Sequence, residues 1–152
     1  MPEPGERTLV TNTTPLIALT AATGGLDVLR FLYARVVVPL EVAQEVRVGG
    51  PQAFAVDVFN ASAQWLEVQA EPVALQPFLH NSLDKGEAAV IQTALNLRLS
   101  LVCIDEAAGR RIARLCDLRV TAPSASCSRL AAWALQSTFR RLWTACAAKV
   151  SG

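Results

Sequence analysis

Short apolar runs rich in β-branched residues alternate with helix-favouring segments along the chain, and this alternation limits the folds available to it. The runs at 8–11, 36–38 and 99–105 predict strands, and weaker patterns predict short strands at 65–68 and 118–120. Strands that alternate with helices favour a parallel sheet between two layers of helices. We therefore predict a three-layer α/β fold with a central parallel sheet flanked by helices.

The composition indicates one globular domain. With 152 residues, of which 52% are hydrophobic and 18% charged, the chain is long enough for one core and too apolar for disorder. No apolar run could span a bilayer, and the N-terminus lacks the basic start and apolar stretch of a signal peptide. The four cysteines form neither a metal-binding pattern nor a disulfide framework. We therefore expect a cytoplasmic protein with reduced thiols and no membrane association.

The formal net charge is only +1, so the chain as a whole lacks the basic character that marks many nucleic-acid-binding proteins. Any contact with nucleic acid must therefore depend on a local group of residues. Thr13 and Arg110 are candidates for phosphate contacts, although a threonine at this position also suits a helix cap and an arginine on a helix also suits a solvated face.

Polar and acidic residues follow several of the predicted strands. Asn12 follows the first strand, Glu45 lies on the helix after the second, Glu87 lies near a helix start, and Asp105 ends a later strand run. Ligands of parallel α/β sheets bind beyond the carboxyl ends of the strands, and Mg²⁺ prefers oxygen ligands. Each residue also has an ordinary interpretation as a solvated helix charge, a charge that meets the helix dipole, or a helix cap. Periodicity alone does not bring the four together.

The joint pattern is more specific, because four segments in this order resemble the PIN-domain family: VTNTTPLIALTAA, VVVPLEVAQEV, LDKGEAAVIQTA and LVCIDEAAGRRIA. The resemblance covers residues 8 to about 120. More narrowly, it is to a branch of short proteins similar to VapC-type toxins. It implies a PIN-like fold in which four acidic positions hold one or two Mg²⁺ or Mn²⁺ ions and support RNA cleavage. Those positions fall on Asn12, Glu45, Glu87 and Asp105, with the three acids as the catalytic residues.

The resemblance also implies an RNA substrate, a small antitoxin partner and a homodimer. Asn12 departs from the pattern, because an amide oxygen can coordinate a metal but brings no charge. We therefore expect a metal-dependent endoribonuclease of the toxin–antitoxin type, weakened at this position. The alternative is a catalytically inactive PIN domain that binds nucleic acid or a partner. A third alternative is the product of a broken reading frame, which folds poorly and has no function.

The character of the sequence changes after residue 120, which divides a PIN-like domain at 1–120 from an atypical tail at 121–152. Five of the nine residues from 121 to 129 are Ser, Thr or Pro, and the following arginines and tryptophans lack clear periodicity. The neighbouring reading frame permits GTLGVLL and then LDGLRGKGFR, which resemble the usual end of the family. We hypothesise a one-base deletion near Thr121, and predict that the tail packs less regularly than the domain before it.

Overall fold

A parallel sheet of five strands forms the centre of the computed structural model, which describes residues 7–49 and 53–122. The sheet order is β3-β2-β1-β4-β5, and every neighbouring pair is parallel. The strands are β1 (Thr8–Thr11), β2 (Arg35–Val38), β3 (Glu67–Val68), β4 (Leu101–Cys103) and β5 (Arg119–Thr121). The predicted α/β fold with a central parallel sheet is confirmed.

Seven helices connect the strands within the described residues. They are α1 (Thr13–Thr23), α2 (Asp27–Leu32), α3 (Leu40–Val48), α4 (Ala53–Ser62), α5 (Pro77–Ser82), α6 (Lys85–Asn96) and α7 (Ala107–Leu115). Of these, α5 had no sequence signal: it has six residues and only Leu79 is buried, so it has no apolar stripe. None of the helices in residues 7–49 and 53–122 is long and apolar enough to cross a membrane.

The core lies around the central strands. All four residues of β1 are buried, as are the last three of β2, because successive side chains of a strand point to opposite faces and both faces are covered. Helix α6 is the most enclosed helix, with every residue from 86 to 94 buried. Its N-terminal turn is therefore held firmly among its neighbours, α3 and α7, against which it packs.

Two local expectations differ from the structure at the carboxyl edge of the sheet. Helix α1 is capped by Asn12, not by a threonine: the Asn12 side chain accepts a hydrogen bond from the Thr13 backbone N–H at 2.7 Å. Strand β4 ends at Cys103, two residues before Asp105. Strand β1 ends at Thr11 and helix α1 begins at Thr13, so the neighbouring strand β4 loses its partner here. The Asn12 N–H donates a hydrogen bond to the Cys103 carbonyl at 3.1 Å at the end of this strand pair. Beyond it Ile104 turns into the core and Asp105 is exposed.

The hypothesis about the tail concerns residues that lie almost entirely outside those the structure describes. Only the first two residues of the predicted tail, 121 and 122, are described, and Thr121 is the last residue of β5. The proposed deletion and the expected irregular packing of 123–152 therefore stay predictions.

Candidate metal centre

Glu87 is the buried acid at the centre of the site. It lies in the first turn of α6 and is only 2% exposed. Its backbone N–H donates to the Asp84 side chain at 2.8 Å, so Asp84 caps the helix that carries it. One carboxyl oxygen, Oε1, is enclosed and accepts no hydrogen bond from the residues that the structure describes. A buried oxygen without a donor is unfavourable, so this group is suited to a ligand that supplies positive charge.

Two further acids surround Glu87. One ligand oxygen from each of Asp84, Glu87 and Glu106 lies within 4.8 Å of the others, and Glu106 occupies the N-cap position of α7. Burial, and then the charges of Asp84, Glu106 and Glu45, raise the pKa of Glu87 from 4.5 to about 7. The residues fit a divalent cation such as Mg²⁺ or Mn²⁺, because they offer hard oxygen ligands and one of them has an unpartnered buried oxygen.

Glu45 reaches the same region from α3. Its Oε2 atom accepts a hydrogen bond from the Thr13 hydroxyl at 2.5 Å. The carboxylate also lies directly over Gly86, where an added Cβ would be 2.7 Å from Oε1 and 2.9 Å from Oε2. A glycine at this position therefore allows the helix carrying Glu87 to approach Glu45 closely. Thr13, at the start of α1, holds the Glu45 carboxylate beside the first turn of α6.

A second glycine fixes the other side of Glu87. A Cβ on Gly109 of α7 would lie 2.6 Å from Glu87 Oε1 and 2.7 Å from Ile104 Cγ2. Both of these neighbours are buried, so neither can withdraw into solvent. The absence of a side chain at Gly109 therefore leaves the space that the Glu87 carboxyl group occupies.

The family of this chain is established by its match to a family model. A family model described as PIN domain matches residues 8–122. The chain belongs to the PIN-domain family. A search among curated proteins found no match. The family predicted from the four sequence segments is thus confirmed, and the match covers β1 to β5.

The four sequence-predicted ligands of this PIN domain occupy different surroundings. Glu45 and Glu87 lie close enough for the charge of Glu45 to contribute to the raised pKa of Glu87. Asn12 is buried beside Thr13, the residue that binds Glu45, and its side-chain oxygen is engaged in capping α1. Asp105 is exposed in the turn that precedes α7. Their role as metal ligands stays a prediction.

The two candidates for phosphate contact lie at the starts of α1 and α7. The Thr13 hydroxyl is engaged with Glu45, so it serves first to position that carboxylate. Arg110 is half-buried on α7, and its backbone N–H donates to the Glu106 carbonyl at 3.0 Å. Its helix therefore begins at the acid cluster.

Sequence reasoning missed two members of the acid cluster, Asp84 and Glu106. A signal for Asp84 was present, because an acid three residues before a glutamate at a helix start is typical of a capping arrangement. Glu106 directly follows Asp105 in the sequence, and only the geometry of the turn into α7 distinguishes the two. The structure places Glu106, the second acid of this pair, within reach of Glu87.

Proposed function

We propose that this PIN domain is a divalent-cation-dependent endoribonuclease of the toxin–antitoxin type. The observation that carries the proposal is the enclosed, unpartnered oxygen of Glu87 with Asp84 and Glu106 close by. Membership of the PIN-domain family supports a nuclease-type function, and the acid cluster is compatible with a bound metal. Mg²⁺ or Mn²⁺ is the proposed cofactor, since both accept carboxylate ligands.

The proposal gives each group a role. Glu87, Asp84 and Glu106 hold the cation, with Asn12, Glu45 and Asp105 as additional oxygen donors. A bound divalent cation would orient a water and offset charge on the phosphate. Glu45, held by the Thr13 hydroxyl, accepts a proton from water at the carboxylate. Arg110 binds a phosphate oxygen of the RNA, because guanidinium groups recognise phosphate well.

The proposed partners follow from the resemblance to VapC-type toxins. They are an RNA substrate, a small antitoxin that inhibits cleavage, and a second copy of the chain in a homodimer. A net charge of +1 means that RNA contacts concentrate near the cleavage site instead of covering the surface. The proposed setting is the cytoplasm, where such a substrate is present.

The test is cleavage of end-labelled RNA by the full chain with Mg²⁺, with Mn²⁺ and with a chelator. Glu87→Gln keeps the size of the side chain and removes its charge, so we expect loss of metal-dependent cleavage. Asp57→Asn makes the same change at an exposed residue of α4 and serves as the matched control. Equal cleavage by wild type and Glu87→Gln would count against the proposal, as would activity that persists in the chelator.

Asn12 favours a second candidate, a catalytically inactive PIN domain that binds nucleic acid or a partner. The residue is neutral, buried, and already engaged as the cap of α1. Asn12→Asp retains capping ability and adds a carboxylate, so it should tighten Mn²⁺ binding, while Asp105→Asn should weaken it. Metal binding without cleavage in both wild type and Asn12→Asp would favour the inactive module. Unchanged metal binding in both variants would remove positions 12 and 105 from the ligand set.

A further inference from the structure

A second acid-lined site lies at the other end of the contact between α3 and α6. A cavity of about 230 Å³ is bounded by the start of α3, the segment after β3 and the last turn of α6. Its wall includes Glu41, which is four residues before Glu45 on α3 and so about 6 Å from it along the helix axis. The cavity is thus a neighbour of the candidate metal centre but is built from different residues.

Glu41 carries a buried carboxylate, and only one of its two oxygens accepts a hydrogen bond from the described residues. It is only 3% exposed, and its Oε1 atom accepts a hydrogen bond from the Val73 backbone N–H at 3.0 Å. The other oxygen, Oε2, is enclosed and accepts no hydrogen bond within the described part of the protein. Val73 also lines the cavity, so the hydrogen bond that holds the carboxyl group joins two residues of the same wall. A buried acid held on one side and unpaired on the other is suited to a cation that enters the cavity.

The lining indicates which kind of cation would fit. Among the described residues that bound the cavity there is no lysine, arginine or histidine to pair with Glu41. Glu71 is a second acid in the lining and is exposed, while Leu40 and Pro72 supply aliphatic surface. Within residues 7–49 and 53–122, the acids close enough together to form a three-ligand metal group do not include Glu41. The rest of the lining is mixed, since Gln69, Thr93 and Asn96 add oxygens that can accept hydrogen bonds. Only two acids line the cavity among the described residues, and N–H donors of an organic cation can use these oxygens, so the lining favours an organic cation over a metal ion.

We propose that this cavity binds an ammonium or guanidinium group on a short aliphatic stem, with the charged group paired to Glu41. The stem packs against Leu40 and Pro72, and a second positive charge on the ligand, where present, pairs with Glu71. Such a group belongs either to a free amine or to the arginine or lysine side chain of a protein partner. The site is separate from the metal centre and does not depend on the proposed nuclease function.

The experiment titrates n-butylguanidinium into the full chain by calorimetry, in a buffer free of amines. Its neutral isostere, n-butylurea, is the matched ligand control. We expect saturable binding of the cation and weaker binding of the urea. Glu41→Gln keeps the shape and the oxygen that accepts from Val73, and should weaken cation binding about tenfold or more. Agmatine, which has a second amine, should bind more tightly than butylguanidinium, and Glu71→Gln should remove that difference.

Three variants distinguish binding of the cation in the cavity from its general attraction to acidic residues. Asp57→Asn on α4 makes the same charge change at an exposed position, and Glu87→Gln makes it in the metal centre. Both should leave the affinity for butylguanidinium within about twofold, which is the size of a screened, long-range charge effect. Ala74→Phe fills the cavity without altering either acid, because Ala74 lines it and is exposed. It should abolish binding even if Glu41→Gln fails to fold.

A peptide with blocked termini and one central arginine tests whether the cation belongs to a protein partner or to a free small molecule. Binding of the peptide as tight as that of butylguanidinium assigns the site to a partner's side chain, and binding of the free cations alone assigns it to a small amine. The proposal is overturned if neither binds, if butylurea binds equally well, or if folded Glu41→Gln and Ala74→Phe both retain the affinity of the wild type.

Discussion

Glu41 and Glu87 are two buried acids in the same kind of position with different surroundings. Each lies in the first turn of its helix, α3 or α6, where the helix dipole favours negative charge. Each also has one enclosed oxygen that receives no hydrogen bond from residues 7–49 and 53–122. Glu87 has Asp84 and Glu106 beside it, whereas Glu41 has a backbone N–H and a cavity lined by both aliphatic and polar residues, with Glu71 as the one other acid of its described lining. Neighbouring groups therefore decide whether a buried carboxylate suits a divalent metal or an organic cation.

The largest expected effect is on metal affinity. Glu87→Gln should weaken Mn²⁺ binding by more than about 100-fold, because even the loss of an outer partner of a metal ligand costs about 10- to 100-fold. Glu41→Gln should leave Mn²⁺ affinity nearly unchanged, since it lies outside the acid cluster. Titration of Mn²⁺ into the two variants, followed by calorimetry, measures both values. Similar losses in the two variants would mean that the two acids serve one shared site.

A smaller effect concerns stability and pH without metal. Because the pKa of Glu87 is about 7 in the folded chain and near 4.5 when unfolded, its favourable contribution is complete below pH 4.5. That contribution is lost as pH rises through about 7. When the pH is raised from 5 to 8, the unfolding free energy of the wild type should therefore fall by on the order of 2 kcal/mol relative to that of Glu87→Gln, which has no carboxyl group at this position.

Urea unfolding in a chelator at both pH values measures this difference. Added Mn²⁺ at pH 8 should then stabilise the wild type and not the variant, since binding to the folded form alone raises its stability. If the difference between wild type and Glu87→Gln stays the same at pH 5 and pH 8, the Glu87 carboxyl group does not titrate in this range.

The two glycines of the metal centre should respond differently to an added methyl group. Gly109→Ala meets Glu87 and Ile104, both buried, and should destabilise the fold by about 1–2 kcal/mol after the gain in helix propensity. Gly86→Ala meets the exposed carboxylate of Glu45, which can move away. It should cost little stability but weaken Mn²⁺ binding. Urea unfolding and Mn²⁺ titration of both variants separate the two effects, and equal destabilisation would contradict this explanation.

The smallest expected effect concerns the link between Thr13 and Glu45. Thr13→Val removes the hydroxyl that holds the Glu45 carboxylate, a loss of about 0.5–1.5 kcal/mol or 2- to 10-fold in Mn²⁺ affinity. Thr14→Val is the control, because it changes the neighbouring, exposed threonine in the same way. Binding of butylguanidinium at the Glu41 cavity should be unaffected by either change. A larger effect of Thr14→Val would show that helix α1, and not the hydrogen bond, is responsible.

The order of strands and helices was determined by the sequence itself. Short β-branched runs form strands because they pack on a pleated surface, and the apolar residues of α6 recur at helical spacing, so a helix there packs them together into the core. The family segments likewise singled out Glu45 and Glu87 from local motifs. The short helix α5 was missed because a helix with one buried residue has no period to detect.

Burial and distance were decided only by the tertiary structure. Glu41 and Glu45 lie four residues apart, so the sequence places them on one face of α3, yet Glu41 is enclosed and Glu45 is exposed. The segment that follows β3 encloses Glu41 and bonds it through Val73, 32 residues away in the chain. The approach of Glu106 to Glu87 similarly depends on how α7 packs on α6 at Gly109. Periodicity fixes the direction of a side chain on its own helix, but contacts between distant segments determine what lies opposite it.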